Sequence, residues 1–145
     1  MRRLLLDTHA LLWALSDVAK LTSEAAALLK DRSGEVFISA ASVWEIAIKR
    51  NQGKLRVPAD FVKSAIERGF TALPISLIHA ETAGALPLLH RDPFDRMLVA
   101  QAKVEGLTLM SDDPRTGSCA PSTEGLETAS PTQEKLLLSE TSQSK

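Results

Sequence analysis

Leu4-Leu5-Leu6-Asp7-Thr8-His9-Ala10-Leu11-Leu12-Trp13 carries the pattern that decides the fold: a short apolar run, an acid where it stops, then apolar residues at helical spacing. The same pattern returns further along the chain. Glu45 follows the run Val36-Phe37-Ile38 and opens an amphipathic stretch, and Asp113 follows Leu107-Thr108-Leu109-Met110. Asp95 sits inside His90-Arg91-Asp92-Pro93-Phe94-Asp95-Arg96, where another helical pattern starts. Short apolar runs bounded by cap and turn residues read as buried strands. If they lie parallel, their carboxyl ends share one edge of a sheet, the edge where open α/β sheets bind ligands. Carboxylates gathered there repel one another unless cations sit between them.

The rest of the chain fits that reading. Residues 3–6 form a first strand, and Asp7 or Thr8 caps a helix through Leu15. A second helix is expected over 22–30, ahead of the turn signal Asp31-Arg32-Ser33-Gly34. The strand at 36–39 leads to a helix that starts at Ser42, with Val43, Ile46, Ala47 and the Arg50 stem on one stripe, and ends at Gly53. Residues 58–68 read as a helix whose Phe61, Val62, Ala65 and Ile66 face a core. Residues 72–75 form a short strand, with Pro74 better suited to an edge or an end. Helices follow at 78–88 and 93–105, and a strand at 107–110. Strands alternating with helices favour a parallel sheet covered by helices.

Composition sets outer bounds. A chain of 145 residues is one domain by length, and 44% hydrophobic with 24% charged residues is ordinary for a folded protein. With 17 basic and 18 acidic residues the net charge is −1, so no global positive field draws the chain to nucleic acid. One cysteine, Cys119, rules out an internal disulfide framework and a zinc-thiolate centre, and fits a reducing compartment. No run is apolar for long enough to be a signal peptide or a membrane span, so a soluble, cytoplasmic protein is expected. Residues 116–145 are dominated by Ser, Thr, Pro, Gly, Glu and Gln and read as a mobile tail. The expected division is a folded domain over 1–115 and a low-complexity tail over 116–145.

Taken singly, each acid has a structural explanation. Asp7 can cap a helix, and Ser42-Val43-Trp44-Glu45 matches a capping box. Asp92-Pro93-Phe94-Asp95 is an orderly helix start, and Asp112-Asp113-Pro114 suits a turn. Capping accounts for acids at helix starts. It does not account for their recurrence at successive strand exits. Oxygen ligands without convergent Cys or His point to Mg²⁺ or Mn²⁺. A cation there can bind a phosphate oxygen and activate a water for in-line attack on phosphorus.

The blocks around Asp7, at 42–49, at 90–96 and at 107–113 resemble those of PIN-domain proteins, and most of all the VapC-like toxins of bacterial toxin–antitoxin pairs. The likeness runs in order from Leu4 to about Pro114. It implies a three-layer α/β/α fold with a central parallel sheet of four or five short strands. It also implies a metal-dependent endoribonuclease, the toxin of such a pair, that forms a homodimer and is blocked by a cognate antitoxin. By position, Asp7, Glu45, Asp95 and Asp113 match the family's catalytic and metal-binding acids, which would hold one or two Mg²⁺ or Mn²⁺ ions. Asp112 competes with Asp113 for the fourth place. Ser111 matches a small hydroxyl position that helps hold the site. The chain departs from the family after Pro114, where the usual final apolar strand is missing from the pattern. A PIN-like module that binds antitoxin or RNA without cleaving is therefore the alternative.

Around the acids, Thr8, Lys49, Arg91 and Arg96 are candidates to support the site or contact RNA. Lys49, Arg50, Lys54 and Arg56 form a basic cluster suited to phosphates. The histidines, His9, His79 and His90, are scattered and form no nucleophile–base pair. Trp13 and Trp44 are expected in the core. Aromatics at 4% do not supply a base-stacking platform. A phosphoacceptor receiver domain would need paired acids after the first strand and a Lys after the last, and neither pattern occurs.

Overall fold

The computed structural model describes residues 2–31, 33–87 and 92–111. Its four strands, β1 (Arg3–Leu6), β2 (Glu35–Ser39), β3 (Thr71–Leu73) and β4 (Thr108–Met110), pair in parallel in the order β3-β2-β1-β4. The helices are α1 (Thr8–Ser16), α2 (Ser23–Lys30), α3 (Ala40–Asn51), α4 (Phe61–Glu67), α5 (Leu77–Ala85) and α6 (Pro93–Glu105). A 3₁₀ turn covers Val18–Lys20.

Strand side chains alternate between two apolar layers. Leu4, Leu6, Val36, Ile38 and Met110 meet Ala10, Leu11 and Ala14 of α1, Ile46 of α3, and Phe61 and Ala65 of α4. On the opposite face Leu5, Phe37 and Leu73 pack with Leu98 and Ala102 of α6 and with Leu107. Burial on both faces explains why these strands read as continuous apolar runs with no polar alternation. Fully buried residues such as Leu5, Leu6, Leu11 and Leu98 each contribute about 1.5–3 kcal/mol. Helix α5 lies outside α6, joined through Ala83, Leu86 and Ala100. The expected three-layer α/β/α arrangement is therefore present, with four strands among the described residues.

Strand order places the site. From β1 the chain steps to β2 and β3 on one side, while β4 adds on the other, so the direction of winding reverses between β1 and β4. A crevice opens at the carboxyl ends of strands where winding reverses. In register, Leu6 stands opposite Ile38 on one side and Met110 on the other.

Several boundaries differ from the expectations. Helix α4 occupies only Phe61–Glu67, because the residues after Pro58 form a turn. Only Phe61 and Ala65 of that helix are buried, while Val62 and Ile66 are exposed. Strand β3 ends at Leu73, before Pro74, which has no N–H to give a ladder. Trp44 is 61% exposed and does not belong to the core. The questions of a fifth strand and of a tail at 116–145 lie outside the described residues.

Candidate functional site at the carboxyl edge of the sheet

Asp7 follows β1 directly and joins sheet to helix. Its Oδ1 accepts the backbone N–H of Ala10 at 2.7 Å, capping α1. Its own N–H donates to Met110 O at 3.0 Å, tying the exits of β1 and β4 together across the winding reversal. Thr8, the next residue, is buried, and its hydroxyl donates to Glu45 Oε1 at 2.5 Å. Glu45 thus comes from another helix to lie beside the Asp7-Thr8 corner. It is 7% exposed, and its second oxygen, Oε2, accepts from Lys49 Nζ at 2.8 Å. A buried carboxylate costs several kcal/mol unless paired and hydrogen-bonded, and Thr8 and Lys49 meet that requirement.

The capping-box reading of Glu45 is overturned. Helix α3 starts at Ala40, and Ser39, not Ser42, caps it, with Oγ accepting the N–H of Ala41 at 3.0 Å. Glu45 therefore stands in the second turn, where no orphan backbone N–H remains for it to satisfy. Ser42 is fully buried inside the helix, and its Oγ has no hydrogen-bond partner among the described residues. It shares a helical stripe with Glu45, three residues on. An unsatisfied buried hydroxyl costs about 1–3 kcal/mol.

Asp95 belongs to the first turn of α6 and is exposed. Asp92 caps that helix, its Oδ1 accepting from Phe94 N at 2.9 Å, as its place before Pro93 implies. The starts of α3 and α6 lie together. Trp44 and Phe94 meet edge to face with ring centroids 5.3 Å apart, and they are the chain neighbours of Glu45 and Asp95. Ser111 is half-buried just past β4. The Arg96 guanidinium donates to the carbonyls of Ala83, Leu86 and Pro87 at 2.8–3.0 Å, closing the C-terminal end of α5. His90, Arg91, Asp112 and Asp113 lie outside the described residues. Among the described residues, no three His, Cys, Asp or Glu side chains are grouped to hold a metal ion.

A second polar chain supports the edge from behind. Ser39 also donates its hydroxyl to Gln101 Oε1, and Gln101 Nε2 donates to Pro74 O at 3.3 Å. Buried His79 accepts the Ser76 N–H at Nδ1 (3.0 Å) and holds Glu105 Oε1 through Nε2 at 2.8 Å. Sequence reading missed this network. Gln101 carries no local mark inside an amphipathic helix, and His79 sits at N3 of α5, where Glu or Gln is the usual signal.

The donors at the edge are oxygens: the Asp7 and Glu45 carboxylates, the Thr8 hydroxyl and the orphaned Ser42 hydroxyl. That set suits a hard divalent cation in kind. A parallel sheet between helices, with Asp7 and the Thr8–Glu45 contact beside the point where its winding reverses, narrows the class of protein. The chain belongs to the PIN domain family, whose model matches residues 4–118. It is 40% identical over 68 residues to Ribonuclease VapC16 of Mycobacterium tuberculosis, a match covering 45% of this chain and about half (48%) of that relative. In fold it is similar to a toxin–antitoxin complex from Klebsiella pneumoniae (TM-score 0.53, 22% identity, 75% of this chain and 85% of the other). It is also similar to VapBC2 of Rickettsia felis bound to a promoter DNA fragment (TM-score 0.57, 15% identity, 76% and 86%). FitAcB of Neisseria gonorrhoeae shares the fold as well (TM-score 0.51, 21% identity, 76% and 87%).

Proposed function

We propose that the chain is a metal-dependent endoribonuclease, the toxin of a toxin–antitoxin pair. The observation that carries this is Glu45: a buried carboxylate that caps nothing, held beside the Asp7-Thr8 corner where winding reverses. The 40% identical relative, described as a ribonuclease, supports the choice of RNA as substrate. The partners are an antitoxin protein and a second copy of the chain, in the cytoplasm. The toxin–antitoxin assemblies that share its fold motivate the first of these.

Asp7 and Glu45 would hold Mg²⁺ or Mn²⁺, with Asp95 and Asp113 as the other acids of the site. When bound, such a cation supplies charge to a phosphate oxygen and acidity to a water at neutral pH. The protein groups have separate tasks. Thr8 fixes the orientation of Glu45, and Asp7 is held in place by its cap on α1. Exposed Arg50 in the last turn of α3, and Lys54 and Arg56 in the segment after it, offer charge to the RNA backbone. The purified chain should cleave an end-labelled RNA with Mg²⁺ or Mn²⁺ and stop with EDTA. Retention of antitoxin binding by a chain that never cleaves would replace the enzyme with a binding module.

A further inference from the structure

Lys49 stands out among the residues of the edge because it already does a cation's work. Its ammonium lies 2.8 Å from Glu45 Oε2, with Glu45 shielded at 9% side-chain exposure and Lys49 partly open to solvent at 38%. The Lys49 side chain comes from one turn further along the same helix, a spacing that lets the two meet without strain. Thr8 binds the other oxygen of Glu45. A lysine free to hold RNA phosphate would extend into solvent, as the side chains of exposed Arg50, Lys54 and Arg56 can.

We infer that Lys49 is a tethered counter-ion, holding Glu45 ready in the metal-free protein and giving way when a divalent cation binds. The inference rests on the proposed metal site and deepens it by adding a competition. A charge on Glu45 Oε2 that must be displaced weakens metal uptake by the free energy of the pair. By linkage, metal binding weakens the Lys49 contact by the same factor. Lys49 is thus a positioning residue that sets metal affinity. It keeps the site assembled at low metal, at the cost of tight binding.

The experiment is a calorimetric titration of Mn²⁺ into the full chain and into Lys49→Gln and Lys49→Arg, with thermal unfolding of the metal-free forms. Lys49→Gln keeps a donor for Oε2 and removes the charge. It should bind Mn²⁺ roughly three- to tenfold more tightly, with a lower metal-free Tm that Mn²⁺ restores. Lys49→Arg keeps the charge and should bind Mn²⁺ like the wild type. A Lys49→Met variant adds the case with no donor, and if it does not fold the other two still decide. Binding of an unstructured oligouridine in EDTA supplies the contrast. Unchanged Mn²⁺ affinity in Lys49→Gln, with oligouridine binding lost, would overturn the inference in favour of a phosphate contact. A wild-type chain and Lys49→Gln that both take up no Mn²⁺ would overturn the metal site itself. Weak uptake by the wild type and firm uptake by Lys49→Gln supports both.

Discussion

Helices α3 and α6 each carry acid in their N-terminal half, and the two could hardly be treated more differently. On α6, Asp92 occupies the N-cap and Asp95 the first turn, both exposed, where acids satisfy backbone donors and oppose the helix dipole. On α3, the cap is a serine, and the acid is a turn further in, buried and bound at both oxygens. Helix chemistry accounts for Asp92 completely. For Glu45 it offers the pairing with Lys49 one turn on, which does not explain a buried carboxylate bound to Thr8 of another helix. The contrast separates an acid that a helix needs from an acid that a helix must accommodate, and only the second demands a function.

Substitutions can break that contrast, and the largest effect belongs to catalysis. Glu45→Gln, which keeps the size but replaces one accepting oxygen with an N–H donor, should lower RNA cleavage at least about 100-fold, whereas Asp92→Ala should leave cleavage nearly intact once the protein is folded. Equal losses in the two variants would erase the distinction. Next comes Arg96→Met, which strips several carbonyls at the end of α5 of their donor. It should cost about 2–3 kcal/mol in denaturant unfolding, with RNA affinity unchanged; a selective loss of RNA affinity would return Arg96 to the substrate. Thr8→Val leaves Glu45 Oε1 without its donor and should cost about 1–2 kcal/mol, partly recovered by added Mn²⁺. Asp92→Ala should cost only about 1 kcal/mol, read from the same unfolding curves.

Much of the fold was legible because both faces of the sheet are covered. Leu4-Leu5-Leu6 and Val36-Phe37-Ile38 could only be buried strands once helical patterns flanked them, and Pro93 after Asp92 fixed the start of α6 to the residue. The start of α3 was not legible, since Ser39 and Ser42 both precede apolar residues and only the strand's length tells which one caps. That ambiguity made Glu45 look like a capping acid. Trp44 shows the reverse failure: its hydrophobicity suggested the core, and its helical phase places it outside, against Phe94. His79 and Gln101 were invisible because the partners that decide their roles lie in other elements, Glu105 being 26 residues from His79 and Ser39 62 from Gln101. For the candidate site, the sequence named the acids, while the Thr8–Glu45–Lys49 bridge and the role of Arg96 needed coordinates.

The most direct test of a cation site shared by Asp7 and Glu45 is Mn²⁺ binding followed by electron paramagnetic resonance in the wild type, Asp7→Asn and Glu45→Gln. The wild type should bind Mn²⁺, and each substitution should weaken that binding by at least about tenfold while the fold persists by circular dichroism. Unaltered Mn²⁺ affinity in both folded variants would contradict the account.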